Sequence, residues 1–148
     1  MNNPPAVSAN NTKASSVVAP APTSRSKRIL IVDDEPQFIE MMQLQLVGCG
    51  YRVDSATDGV EGIKKIMASD YAVVLCDMVM PKLAGDKFYQ AVERVKPDLC
   101  KRFIFVTGQR GDPKMDAFIR KIRGLVLWKP FLFHVLLEAI QAIEKKSA

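Results

Sequence analysis

Four short apolar runs in this sequence each end in a residue able to bind a cation or an anion. Ile29–Val32 leads into Asp33-Asp34-Glu35, Val73–Cys76 into Asp77, Phe103–Val106 into Thr107 and Leu125–Trp128 into Lys129. If these ends meet, the charges decide what the site can do. Two carboxylates about 4 Å apart repel by roughly 4 kcal/mol at an effective dielectric near 20. Asp33, Asp34 and Asp77 together therefore need a cation, a shared proton or a salt bridge, and Lys129 supplies one positive charge. Clustered oxygen ligands without Cys or His favour Mg2+ over zinc. A carboxylate can accept a phosphoryl group covalently, and charge on the phosphoryl oxygens must then be met by the ion and by fixed donors. On this reading Asp77 attacks, Asp33 and Asp34 hold Mg2+, and Lys129 and Thr107 contact phosphoryl oxygens. Each strand end taken alone has a plainer explanation. Asp-Asp-Glu-Pro is also a serviceable helix start, with an acid at the N-cap and proline in the first turn.

The elements that must position these residues follow from periodicity. The four runs are rich in branched and aromatic side chains and read as buried strands, with a fifth, weaker strand over Arg52–Ala56. Apolar residues at helical spacing lie between them. The stripes are Ile39, Met42 and Leu46; Val60, Ile63 and Met67; Phe88, Ala91, Val92 and Val95; Met115, Phe118, Ile119 and Ile122; and Leu132, Val135, Leu136, Ala139, Ile140 and Ile143. All five are assigned to core packing. Five strands alternating with five helices predict an α/β fold, a parallel sheet covered on both faces and doubly wound. In such a sheet the carboxyl ends of the strands converge on one crevice, which would bring the four strand ends together.

Composition bounds the rest. The chain has 148 residues, 48% hydrophobic and 25% charged, values of an ordinary globular domain and not of a wholly disordered chain. No apolar run approaches the roughly 20 residues of a membrane span. Cys49, Cys76 and Cys100 lack C-x-x-C spacing, which points to a reducing, cytoplasmic setting and structural thiols. A single histidine, His134, excludes mechanisms that need several imidazoles and is read as a surface residue. Net charge is +5 at pH 7, with Lys13 and Arg25 the only charges before residue 27, so no dense basic stripe suggests direct nucleic-acid binding. Residues 1–26 are rich in Ala, Ser, Pro, Asn and Thr and are expected to form a disordered tail, without the pattern of a signal peptide. Residues 27–148 are expected to form the domain, with no output domain after it.

The segments ILIVDDEP (29–36), VVLCDMVMP (73–81) with Gly85, FVTG (105–108) and LWKPF (127–131) together resemble the receiver domain of bacterial two-component response regulators. Asp34 to Asp77 spans 43 positions, Asp77 to Thr107 spans 30 and Thr107 to Lys129 spans 22. The resemblance covers about residues 27–146 and implies a flavodoxin-like sheet of strand order 2-1-3-4-5. It implies that Asp77 is the phosphoacceptor, loaded by a histidine kinase or a phosphotransfer protein, and that Asp33, Asp34 and the Val79 backbone carbonyl hold Mg2+. Thr107 would be the switch hydroxyl, Gly108 the small residue that leaves the pocket open, and Lys129 the phosphoryl contact, preceding a cis bond to Pro130.

One position departs from the pattern. The family commonly carries a switch aromatic three residues before the lysine, where this chain has Val126; Trp128 follows on the same strand face. Trp128 is either a partner-binding side chain or a packed edge-strand aromatic. Val79, two residues after the acceptor, is apolar and would orient no water, so slow self-dephosphorylation is expected unless the Gln109 amide compensates. A basic set, Lys114, Arg120, Lys121 and Arg123, lies around the fourth helix, as a solvated face or a docking patch. The leading expectation is a single-domain response regulator that signals through protein contacts and catalyses only its own phosphorylation and dephosphorylation. The alternative is a phosphorylation-independent pseudo-receiver acting as a scaffold or adaptor.

Overall fold

In the computed structural model of the protein, residues 28–80, 82–108, 112–122 and 124–147 are described. The expected tail, and Pro81, Gln109 and Arg123, lie outside the described residues. The elements run β1 (Arg28–Val32), α1 (Pro36–Gly48), β2 (Arg52–Ala56), α2 (Gly59–Ala68), β3 (Val73–Asp77) and α3 (Gly85–Val95). A short 3-10 helix (Pro97–Arg102) then precedes β4 (Phe103–Thr107), α4 (Pro113–Lys121), β5 (Leu125–Trp128) and α5 (Phe133–Ser147). All strand pairs are parallel and the order is β2-β1-β3-β4-β5, as expected.

Alternation along each strand builds two cores, one per face. Leu30, Val32, Val74, Cys76, Phe103 and Phe105 pack with Ile66 of α2 and Phe88 and Val92 of α3. Ile29, Ile31, Val73, Leu75, Ile104 and Val106 pack with Ile39, Met42 and Leu46 of α1 and with Leu136, Ile140 and Ile143 of α5. The strands β1, β3 and β4 are apolar on both faces because helices cover both.

Three of the predicted stripes need correction. In α2, Val60 and Met67 are 48% and 62% exposed, and the buried face is Gly59, Gly62 and Ile66. The helix approaches too closely for side chains there: a Cβ on Gly59 would lie 2.7 Å from Leu83 Cβ, and one on Gly62 would lie 2.9 Å from the Phe88 ring. In α3, Val95 is exposed while Tyr89, absent from the expected stripe, is buried and packs edge-on against Phe103 and Phe118. Leu132 is exposed and precedes α5. No residue of α4 is fully buried; Met115, Phe118 and Ile122 rest half-buried on the core.

Two tyrosines tie the periphery to the sheet. The Tyr51 hydroxyl donates to Glu144 Oε1 at 2.8 Å, fastening the chain before β2 to α5. The buried Tyr71 hydroxyl donates to Asp54 Oδ2 at 2.7 Å, and Arg28 Nε stands 3.5 Å from the same oxygen. Burial and the Asp54 carboxylate push the Tyr71 hydroxyl pKa up, so it remains a donor. Tyr71→Phe leaves Asp54 with one partner fewer and is expected to lower the unfolding free energy by about 1–2 kcal/mol. Urea denaturation checks this, and an unchanged midpoint contradicts it.

Candidate functional site

The carboxyl ends of β1, β3, β4 and β5 bring the expected residues to one edge of the sheet. Asp33 follows β1 directly; its N–H donates to Ala56 O at 3.0 Å, which holds it in register with β2. Asp77 is the last residue of β3 and Thr107 the last of β4. Lys129 comes one residue after β5, and its N–H donates to Thr107 O at 2.8 Å, so the β4–β5 pairing continues through it. The Lys129–Pro130 peptide is cis, as the resemblance implied. Beyond Asp77 the chain turns sharply: Gly85 N–H donates to Met78 O at 3.1 Å. A Cβ at Gly85 would lie 2.8 Å from Met78 Cα and 2.9 Å from Asp77 O, so only glycine permits this closeness. Gly108 is different, since a Cβ there would meet Lys129 Cβ at 3.8 Å, an ordinary contact.

One carboxylate oxygen from each of Asp33, Asp34 and Asp77 lies within 4.8 Å of the others. Asp33 is 1% exposed, Asp77 is half-buried and Asp34 is exposed. Asp33 Oδ1 accepts the Glu35 N–H at 2.8 Å, whereas the buried Oδ2 has no hydrogen-bond partner. Lys129 Nζ stands 3.7 Å from that oxygen, an ion pair beyond hydrogen-bond reach. Asp77 Oδ1 accepts the Val79 N–H at 3.1 Å. The Val79 side chain is 48% exposed.

Desolvation is the main reason that the Asp77 carboxyl is pushed from 3.8 up to about 6, with the Asp33 and Asp34 charges adding to it. The Val79 N–H and the Lys129 ammonium act in the opposite sense. Asp33 is raised as well, again chiefly by burial. A cluster that holds three acids against one lysine, with an oxygen buried and unbonded, has the charge and the hard donor atoms for a divalent cation such as Mg2+.

Three participants were missed from sequence. Glu35 occupies the N-cap position of α1, with Pro36 following, but its side chain makes no cap hydrogen bond. Its Oε1 lies 3.4 Å from Lys129 Nζ instead. Phe38, in the first turn of α1, lies under the same ammonium at 4.5 Å from the ring centroid and meets Phe131 edge-on at 6.3 Å. Met115 receives the Thr107 hydroxyl at its Sδ, 3.5 Å away. The acid run at Asp33–Glu35 was visible, but which acid meets Lys129 depends on the turn into α1. Phe38 and Met115 carried no signal distinct from helix stripes.

Around the expected switch position, Val126 pairs in register with Phe105 and packs on the same core cluster as Met115, Phe118 and Ile122. The aromatic volume comes instead from Tyr89, Phe105 and Phe118, with ring centroids 5.5–5.6 Å apart. Trp128 is half-buried on edge strand β5, in register with Thr107. Cys76 is fully buried beside Asp77, and burial drives its thiol pKa far up, consistent with an inert structural role. None of the three cysteines is in a disulfide, and His134 is exposed. Among the described residues no helix is long and apolar enough to cross a membrane.

Comparison with known proteins places this geometry in context. A sequence family described as response regulator receiver domain matches residues 29–141. The transcriptional regulatory protein DltR of Streptococcus agalactiae is 31% identical over 127 residues, covering 82% of this chain and 53% of its own length. Response regulator ArlR of Staphylococcus aureus is 27% identical over 126 residues, covering 81% and 53%. The chain thus spans about half the length of the curated relatives it matches. Among solved structures, chemotaxis protein CheY4 of Vibrio cholerae superposes with a TM-score of 0.70 at 27% identity, over 78% of this chain and 97% of that one. Response regulator TrrA of Thermotoga maritima, solved in complex with Mg2+-BeF, gives 0.69 at 30% identity, over 79% and 98%.

Proposed function

The chain belongs to the response regulator receiver domain family, and on that premise we propose that it is a phosphorylation-dependent switch in which Asp77 accepts a phosphoryl group from a histidine kinase or phosphotransfer protein. One observation carries this reading: Asp33, Asp34 and Asp77 converge within 4.8 Å of one another, with a buried unbonded oxygen on Asp33 and Lys129 beside it. Asp33, Asp34, Asp77 and the Val79 backbone carbonyl would hold Mg2+. Bound there, the ion supplies positive charge to the developing phosphoryl oxygens and offsets repulsion among the acids.

The protein's own part is nucleophile and donors. An Asp77 carboxylate oxygen bonds to phosphorus as the phosphorus–nitrogen bond of the donor phosphohistidine breaks, and the imidazole leaves. Lys129 gives up its contacts with Glu35 and Asp33 to meet a phosphoryl oxygen, and Thr107 donates to another. Return is hydrolytic: water attacks phosphorus, the oxygen–phosphorus bond breaks, and Asp77 carboxylate and inorganic phosphate remain. The chain acts on its own phosphorylation state and turns over no separate substrate. We place it in the cytoplasm, where its phosphodonor class resides, signalling through protein contacts.

An apolar groove of about 400 Å³ lined by Phe38, Met41, Met42, Lys129, Pro130 and Phe131 opens beside the lysine. Together with exposed Met41 and Leu44 on α1 it suits the phosphodonor protein, whose reactive imidazole must reach this edge.

Beryllofluoride with Mg2+ tests the reading, since it reports an acyl-phosphate-like adduct without a kinase. A fluorine NMR adduct signal that is lost in Asp77→Asn is expected; no adduct on the wild-type chain would favour the scaffold alternative. The lifetime of the acyl phosphate depends on Val79, which offers no hydrogen bond to an attacking water. Val79→Asn is expected to hasten loss of phosphoryl from Asp77 by about 10-fold, less than the roughly 100-fold or more of a positioned proton-transfer group, because an amide orients water without taking its proton. Equal decay of the two proteins, followed by phosphate release, contradicts this.

A further inference from the structure

The Thr107 hydroxyl and helix α4 are joined by a sulfur. Thr107 is 1% exposed, and its hydroxyl donates to Met115 Sδ at 3.5 Å, from the end of β4 to the first turn of α4. At the position where the family commonly couples this hydroxyl to an aromatic, the chain has Val126, which packs on the same cluster as Met115. Helix α4 contains no fully buried residue. Met115 also lines a groove of about 340 Å³ with Met78, Val79, Met80 and Phe118.

We propose that Met115 is the positioning residue that holds the Thr107 hydroxyl toward α4 while Asp77 is unmodified, and that breaking this contact transmits occupancy of Asp77 to α4. The proposal rests on the reading of Asp77 as phosphoacceptor. A threonine hydroxyl has one proton to donate, so donation to Sδ and donation to a phosphoryl oxygen exclude each other. A thioether is a weak acceptor, whereas an anionic oxygen forms roughly twice as strong a bond as a neutral one. The exchange therefore runs toward the phosphoryl group when it is present and back when it leaves. Methionine has three rotatable bonds, and the adjoining groove gives the released thioether space to turn into. Since α4 rests on the core through the half-buried Met115 and Phe118, with Ile122 just past its end, a change at the first of these shifts how the helix sits. By linkage, the Met115 contact weakens anion binding by the same factor that anion binding weakens the contact.

The test uses beryllofluoride with Mg2+ as the probe and its apparent affinity as the readout. Met115→Leu keeps the volume and removes the acceptor, and should tighten binding about 2–5-fold. Met115→Gln places a stronger acceptor at similar length and should weaken it by about the same factor. In a Thr107→Ser background the Leu effect persists, because the hydroxyl remains. In a Thr107→Val background both effects vanish. Unchanged affinity in Met115→Leu and Met115→Gln overturns the proposal, as does an equal shift in the Thr107→Val background, which would assign it to packing. These outcomes differ from failure of the underlying reading, in which the wild-type chain itself forms no adduct.

Discussion

Asp77→Asn is expected to abolish phosphoryl uptake and, in magnesium-free buffer, to make the protein more stable at pH 8. The first effect follows from removing the nucleophilic carboxylate, since an amide oxygen in its place cannot sustain an acyl phosphate. The second follows from electrostatics. The carboxyl is pushed from 3.8 to about 6 in the folded protein, so the native state holds its proton more tightly than the unfolded chain does. Below about pH 4 both states are protonated and no penalty exists; above about pH 6 both are ionised and the penalty is complete. Wild-type stability therefore falls as pH rises across that window, and the raised Asp33 acts in the same direction. Two pKa units correspond to nearly 3 kcal/mol, which solvent access to the half-buried group reduces to about 1–2 kcal/mol. The variant should gain that amount at pH 8 and nothing below pH 4, because Asn can still accept the Val79 N–H. Denaturant melts at the two pH values check this. Equal stability of the two proteins at pH 8 would show that ionising the Asp77 carboxyl in its buried setting costs the fold nothing.

Magnesium should offset that cost in the wild-type chain. Saturation to 100 times its dissociation constant adds about 2.7 kcal/mol to the unfolding free energy. Asp33→Asn and Asp34→Asn should each lower magnesium affinity by on the order of 10–100-fold, and phosphoryl uptake from acetyl phosphate should stop when the ion is chelated. Trp128, in register with Thr107 and next to Lys129, provides the fluorescence readout. Thermal melting supplies an independent one. If Asp33→Asn binds magnesium as tightly as wild type, the buried unbonded Oδ2 needs a different explanation.

How much of this was legible in the sequence depends on the kind of interaction. Buried strands of a parallel sheet are apolar on both faces, so Ile29–Val32, Val73–Cys76 and Phe103–Val106 stood out, and the structure extends these three strands by one residue each. The topology that gathers their carboxyl ends follows from alternation with helices. What periodicity could not reveal was the face of α2. There the closest packing is made by Gly59 and Gly62 against Leu83 and Phe88, and hydrophobicity scores a glycine face as empty. Tyr89 was missed because its polar hydroxyl obscured a ring that sits among Phe103, Phe105 and Phe118.

Within the candidate site, residues at strand ends were readable because strand ends are fixed by the sheet. Contacts made across elements were not. Glu35 reaches Lys129 across 94 positions, Phe38 lies under the same ammonium, and Met115 meets Thr107 only because of where α4 begins. Each is a side chain of ordinary type whose partner is chosen by tertiary packing. The same holds for Tyr71 and Asp54, which fix edge strand β2.

The most direct measurement is intact mass spectrometry of the chain after incubation with acetyl phosphate and Mg2+, run beside Asp77→Asn and a chelated control. The account predicts a gain of one phosphoryl mass that is acid-stable and base-labile, mapped to Asp77 and missing from both controls. No mass gain on the wild-type chain, or a gain that survives in Asp77→Asn, would contradict it.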